Sequence, residues 1–410
     1  MVSSSVPSIS EIRAQFPSLK QDFAFFENAG GSQVPKCVID AISAYFTDTY
    51  VQLGAGYPAS NKATEIVAAA HDFVNRMFGG EGIGTAVLGP SSTQLMAMLA
   101  ECYCRYLKPG ERIVVAENAH ESNINPWMRM ERLGYEVDVW KIDPKTQTLH
   151  IEDLDFLLKK PTRLLCFPHV SNLLGHVSDI ASITKKAHEY GARVVVDAVA
   201  YAPHRPLDVA AWDVDFSFYS TYKVYGPHLA AMFGRKDALD ELVGPNHFFV
   251  PRTEWPYKFE LGGANHEGCA GLCALSEYIH FLNGSGGKGL ATREEIVSAF
   301  TTMGQLELPL QKAIMDYLRT KDQIQIIGPA TGGMERVPTI SFVHKAKKSE
   351  EIAAQVQQHG IGVRHGHMYA YRLCEALGIE PNQGVVRTSL VHYNTMDEVE
   401  RLIKALEEVL

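Results

Sequence analysis

The stretch DFSFYSTYKVYGPH, residues 215 to 228, places one lysine, Lys223, directly after an apolar run of strand character. An ammonium is costly to bury unless it is paired or its pKa is depressed, and its ordinary place is an exposed loop. In RVVVDAVAYAPHRPLDV, 26 residues earlier, Asp197 follows another such run. A carboxylate there either caps the next loop or faces a cationic or hydrogen-bonding partner. If both runs end as successive strands, the amine and the carboxylate can project into one crevice. A third feature is VLGPSSTQLMAMLAECYCRYL, residues 87 to 107, where a strand ends at Gly89-Pro90, meets Ser91, Ser92 and Thr93, and turns helical. Free N–H groups and the positive end of the helix dipole suit a phosphate; the same hydroxyls also serve as plain N-caps. A lysine for a Schiff base, an acid for a pyridinium proton and a phosphate cradle are what pyridoxal 5'-phosphate requires.

The elements that must position these residues are legible as alternating patterns. From about residue 20 to 265 the runs GTAVLG, RIVVAE, EVDVWKI, RLLCFPHV, RVVVDAVA, DFSFYS and LAAMFGR alternate with helical segments. That order predicts an α/β fold with a mostly parallel central sheet, helices on both faces, and ligand sites at the carboxyl ends of strands. The Gly-rich break FLNGSGGKGLATREE precedes a long amphipathic pattern from about Thr292 to Thr320. After it VPTISFV, IGVRHG and GVVRTSLVHY read as strands and DEVERLIKALEEVL as a closing helix. The expected organisation is an N-terminal segment, 1–20, packing with the small domain, a large domain, 21–283, and a smaller C-terminal α+β domain, 284–410. A chain of 410 residues is long enough for two domains. Its net charge of −9 argues against nucleic-acid and anionic-membrane partners. Seven cysteines are too sparse for a disulfide scaffold and lack histidines at zinc spacing, so no metal is expected and the compartment reads as reducing. With neither a secretory leader pattern nor an apolar span in the sequence, the expected location is cytoplasmic.

The residues also carry a resemblance. FFENAGGSQVP, GPSSTQL, HESNINPW, HVSNLLGHVSDI, VDAVAYAPHRPLDV, STYKVYGPH, ELGGANHEG and VRTSLVHYNTMDEVERL occur in that order from about Phe25 to Glu408. In this the chain resembles the class V aminotransferases of PLP fold type I, close to cysteine desulfurases and isopenicillin N epimerase. The resemblance implies PLP as cofactor and Lys223 as the Schiff-base lysine, able to act as the base at the substrate α-carbon. It implies Asp197 as partner of the pyridine nitrogen and His120 as the ring stacked on the cofactor. Ser92, Thr93 and Ser220 would hold the phosphate, with Tyr222 able to donate its hydroxyl. Asn172 would lie near the cofactor oxygen and the substrate, Arg387 would grip the substrate carboxylate, and Asn28 and Ala29 would border the substrate. A homodimer is implied as well.

The departures from the desulfurase pattern bear on activity. Desulfurases carry a mobile cysteine in a motif like R-x-G-H-H-C-A, and here RHGHMYA, residues 364 to 370, has Tyr369 in its place. A phenol cannot carry a persulfide. Ala200 stands where a glutamine is usual, with Tyr201 beside it; Tyr222 stands for a histidine and Gly263 for a threonine that reaches the phosphate across the dimer. The expected activity is therefore a desulfurase-like lyase acting at the α-carbon of an amino acid, by β-elimination or C–S cleavage, without a persulfide cysteine. Tyr369 would line its pocket or assist proton transfer, the alternative being an aromatic that packs its loop against the small domain. Epimerase, aminotransferase and carbon–carbon bond-forming chemistry are the alternatives, and a catalytically inactive binding protein is a further one.

Overall fold

The computed structural model describes residues 6–108 and 110–410. Its strands in chain order are β1 (Ala24–Phe25), β2 (Gly84–Gly89), β3 (Arg112–Ala116), β4 (Glu136–Trp140), β5 (Thr162–Pro168), β6 (Arg193–Asp197), β7 (Phe216–Ser220), β8 (Ala230–Arg235), β9 (Ile324–Ile327), β10 (Thr339–His344), β11 (Ile361–Gly362), β12 (Arg364–Gly366) and β13 (Val385–Ser389). Every apolar run that precedes residue 265 forms a strand, β2 to β8. By contacts the chain divides into two units that do not follow chain order. One gathers the described residues up to Lys20 with Gln33–Tyr106 and Arg205–Thr302; the other gathers Gln21–Ser32, Leu107–His204 and Met303–Leu410.

In the first unit β8 is flanked by β2 and β7, both antiparallel to it. Helices Lys36–Asp48, Pro58–Phe78 and His266–Asn283 pack together beside them. The second of these buries Ala63, Val67, Ala70, Val74 and Met77, the three-and-four spacing of one helix face. It begins with proline in its first turn and closes at Gly79, whose φ of 68° is the left-handed conformation of a helix C-cap.

In the second unit β6, β5, β3 and β4 lie side by side in that order, all parallel. Every residue of β3 is buried, as are all but one in each of β5 and β6, which is why these strands read as unbroken apolar runs rather than alternating ones. Because the strands are parallel, the segments after β3, β5 and β6 leave from one edge of the sheet, with Pro168 and Asp197 in register. The antiparallel order β12-β13-β10-β9 makes a second sheet, and β1 pairs with β11. Phe26, Ile314, Phe342, Val386, Leu402 and Leu406 belong to the apolar core of this part. The amphipathic pattern from Thr292 forms the 27-residue helix Arg293–Arg319, of which the residues from Met303 onward belong to this unit. The closing pattern forms Met396–Val409, started by a capping box of Thr395 and Glu398. Among the described residues no helix is long and apolar enough to cross a membrane.

Candidate active site

The first unit assembles the hydroxyls and the lysine. Ser91 caps the helix Ser92–Cys104 by accepting the Gln94 N–H at 3.2 Å, so the N-cap reading holds for that residue. Ser92 does something else. It is buried, and its Oγ lies 2.9 Å from the Oγ of Ser220, itself buried at the end of β7. Two hydroxyls meeting at the first turn of a helix can turn their protons toward an anion, and the backbone N–H groups add to them. Thr93 is exposed in the same turn. The chain then folds back after Ser220, with the Val224 and Gly226 N–H groups donating to the Thr221 carbonyl at 2.8 and 2.9 Å. Lys223 closes that turn, half-buried, with its Nζ 5.9 Å from the centroid of the Tyr222 ring. Tyr222 in turn stacks on His228, their centroids 4.9 Å apart.

Glu260 is a positioning residue that sequence reasoning missed. Its Oε1 accepts the Leu88 N–H at 2.7 Å, just before Gly89-Pro90 and the hydroxyls, and His71 Nε2 lies 2.8 Å from the same oxygen. His71 Nδ1 faces the Val67 carbonyl at 2.7 Å, so both ring nitrogens meet acceptors and the imidazolium is favoured. Burial draws the His71 pKa down, but the bond and charge of Glu260 outweigh it and the net shift is upward. No local motif announces a pair separated by 189 positions.

The second unit assembles the remaining predicted residues. Asp197 is buried at the end of β6 and its Oδ1 accepts the Val199 N–H at 3.0 Å, the loop-capping bond foreseen as its alternative role. Tyr201 stacks almost flat on His169, at 3.5 Å and 12°. After β3, His120 Nδ1 accepts the Ser122 N–H at 3.0 Å, which leaves Nε2 to carry the proton of the neutral ring. The His120 and Tyr369 rings lie 5.2 Å apart. Tyr369 is 60% exposed, and it and Met368 have φ of 61° and 46°. For non-glycine residues the left-handed region costs about 1–2 kcal/mol each.

Asn172 joins two of these groups. Its Nδ2 donates to the Met368 carbonyl at 2.8 Å, and its own carbonyl accepts from Arg387 Nη1 at 3.2 Å. Since Nδ2 faces a carbonyl, the side-chain oxygen is fixed as Oδ1, and that atom is buried with no partner. Gly175 lets the turn after it press close, because a Cβ at that φ of 67° would lie 2.4 Å from the Thr339 carbonyl. Arg387 on β13 is 3% exposed. It has no carboxylate within ion-pair distance among the described residues, and its Nε is buried without a partner. Burial lowers its pKa to about 10, with the charge of Glu27 opposing that shift and Arg364 adding to it. Asn28 is tied to the protein: its Nδ2 donates to the Phe25 and Ser389 carbonyls at 2.8 and 3.0 Å, and Tyr393 donates to its Oδ1. The Ala29 N–H donates to Ser389 Oγ at 2.8 Å, so both residues anchor the segment before Gly30 to the end of β13.

None of the seven cysteines is in a disulfide, and each thiol pKa is raised, burial being the first cause throughout. Cys374 is fully buried in an apolar cluster with Leu373 and Met368, its thiol pushed up to about 11.

Comparison with known proteins places the chain in a family. The sequence model of the aminotransferase class-V family matches residues 24–402. Over its full length, and that of the relative, the chain is 37% identical to an aminotransferase-like protein, FGM3, of Gibberella zeae. It is 28% identical to a cysteine desulfurase of Serratia proteamaculans, with 98% of each chain covered. Among solved structures, the cysteine desulfurase CsdA of Escherichia coli superposes with a TM-score of 0.82 over 99% of each chain, at 23% identity. The apo cysteine desulfurase of Thermococcus onnurineus gives 0.85 at 24% identity, covering 100% of this chain and 99% of its own. These two share the fold.

Proposed function

The chain belongs to the aminotransferase class-V family, and from that premise we propose that it is a lyase breaking a side-chain bond of an α-amino acid, by β-elimination or C–S cleavage, without a persulfide-carrying cysteine. The cofactor of this family is pyridoxal 5'-phosphate, and the residues present fit it. The buried hydroxyl pair of Ser92 and Ser220 suits its phosphate, and the orphaned Asn172 Oδ1 needs a donor. When bound, the cofactor supplies an electron sink for charge at the substrate α-carbon.

The chain's own residues do the rest. Lys223 would hold the cofactor covalently through Nζ and afterwards take the α-proton on that atom. Ser92, Thr93, Ser220 and the helix end would hold the phosphate, with the Tyr222 hydroxyl as a further donor. Asp197 would keep the ring nitrogen protonated, and His120 would lie against the ring face. Arg387 would receive the substrate carboxylate, framed by Asn28 and Ala29, and Tyr369 would wall the side-chain end. The observation that carries this reading is Arg387, a buried guanidinium with no carboxylate partner among the described residues and with its Nε left without an acceptor, a donor that an amino acid's carboxylate would satisfy. Its test is a panel of α-amino acids incubated with the cofactor-loaded protein, with products identified by mass spectrometry. Fragments of a cleaved side chain are expected. Intact side chains on a keto acid or on an inverted amino acid would replace the lyase by an aminotransferase or an epimerase.

The absence of a persulfide is a separate expectation. The thiolate is the form that takes up sulfur, and raised pKa values leave little of it at neutral pH. Incubation with L-cysteine should leave all seven cysteines without an added sulfur atom in the protein mass; a one-sulfur adduct on Cys374 that turns over would contradict this. Seven free thiols also suit the reducing cytoplasm.

The protein is further expected to work as a homodimer. Its first unit carries a groove of about 800 Å³ lined by Leu95, Met98, Leu229 and Phe259, and it exposes Phe248 fully and Phe249 and Leu261 by 68% and 63%. Exposed apolar surface of this kind supports an interface with a second copy of the chain. Sedimentation at micromolar concentration should give twice the chain mass, and Leu261→Asp should shift the mass toward one chain. A monomeric, fully active wild type would remove the dimer.

A further inference from the structure

The segment His367–Tyr371, which occupies the place of the desulfurases' mobile thiol, is tied down here on several sides. The Glu121 N–H donates to the Tyr369 carbonyl at 2.8 Å, and Arg372 Nε donates to Glu121 Oε1 at 2.9 Å. Tyr369 N–H is taken by His367 Nδ1 at 3.0 Å, and the Ala370 N–H by the His367 carbonyl at 2.7 Å. On the other side the Met368 carbonyl accepts from Asn172, and the Asn172 carbonyl accepts from Arg387. A continuous chain of bonds therefore runs from Arg372 through Glu121, the Met368-Tyr369 backbone and Asn172 to the Arg387 guanidinium. Two successive non-glycine residues in the left-handed region keep that conformation only where their surroundings hold it.

We propose that the Arg372–Glu121 pair is a latch that fixes the Tyr369 segment beside His120 and, through Asn172, sets the Arg387 guanidinium for the substrate carboxylate. This rests on the amino-acid reading above and adds positioning residues to it. In this proposal Arg372 and Glu121 act through the Tyr369 segment and Asn172, not on substrate or cofactor themselves. The side chains are 39% and 26% exposed, so the pair is partly screened, and its contribution comes from holding one geometry rather than from the strength of one ion pair. The latch also replaces mobility by a fixed wall: Tyr369 stays beside His120, where a persulfide carrier would have to swing.

The test compares wild type, Arg372→Met, Arg372→Lys, Glu121→Gln and the Glu121→Gln/Arg372→Met double variant. Amide hydrogen exchange is read over residues 366–371, with and without cofactor. The second readout is the binding of L-alanine to the cofactor-loaded protein, followed by the cofactor's visible absorbance. Alanine keeps the α-carboxylate and has no side-chain leaving group. Arg372→Met is expected to speed exchange in the segment about tenfold and to weaken alanine about fivefold while the starting absorbance stays that of wild type. Arg372→Lys should recover most of both effects, and the double variant should be no worse than either single one, because the two side chains act as a unit. Unchanged exchange in Arg372→Met overturns the latch. So does additive loss in the double variant, or weakened alanine binding that Arg372→Lys does not recover. If alanine fails to bind wild type, the amino-acid reading is what fails, and the exchange data still decide the latch.

Discussion

Lys223→Ala yields a folded protein that no longer retains the cofactor's visible band after desalting and whose turnover falls by at least about a thousandfold, the range expected when a positioned base is removed. Folding survives because the half-buried Lys223 sits in a turn whose shape comes from the Thr221 carbonyl bonds, and alanine leaves those in place. The measurement is paired: circular dichroism and thermal melting for the fold, absorbance and product formation for the function. Wild-type turnover in the variant would move the covalent attachment and the α-proton transfer to another residue. A variant that fails to fold would show that Lys223 is instead a structural lysine, the ordinary reading of its type.

Arg387→Met moves stability and binding in opposite directions. A pKa lowered from 12.5 to about 10 in a fully buried guanidinium corresponds to roughly 3 kcal/mol of cost for keeping the charge there. The bond to the Asn172 carbonyl returns about 1–2 kcal/mol of it. Methionine fills much of the same volume without a charge, so the melting temperature should rise, by a stability gain of about 1 kcal/mol. The same change removes the proposed partner of the substrate carboxylate, and KM for the amino acid should rise about a hundredfold, equivalent to about 2.7 kcal/mol. Asp197 and Lys223 are untouched by it, so the absorbance of the bound cofactor should stay. A variant with unchanged KM would take Arg387 out of the substrate site, and one that melts markedly lower would make its charge a structural asset.

Much of the fold was legible because its strands are either buried on both faces or flanked by glycine and proline. RVVVD and RIVVA read as continuous apolar runs for the same reason that they lie inside a parallel array. The antiparallel arrangement of β2, β8 and β7 was not legible, since register and direction depend on partners far along the chain. Nor were β1 and β9: β1 has two residues, and β9 is mostly part-exposed, with too little apolar repetition to stand out. Among the site residues, Ser92 was marked by the strand–turn–helix pattern and Arg387 by its apolar neighbours. Glu260 and Arg372 left no signal, because their partners sit 172 and 251 positions away and the roles exist only as bonds. Asn28 shows the opposite limit. Its motif marked it as important, while the side chain is spent on the Phe25 and Ser389 carbonyls and on Tyr393.

The central claim is that this chain acts at the α-carbon of an amino acid through Lys223, and proton exchange reads that step whatever the product. The cofactor-loaded protein is incubated in deuterium oxide with each member of an α-amino-acid panel, and deuterium at the α-carbon is followed by NMR beside Lys223→Ala. The expected result is uptake of deuterium, or its presence in the product, for at least one amino acid with wild type and for none with the variant. No exchange and no product with any amino acid in wild type, although the cofactor is bound, would contradict it.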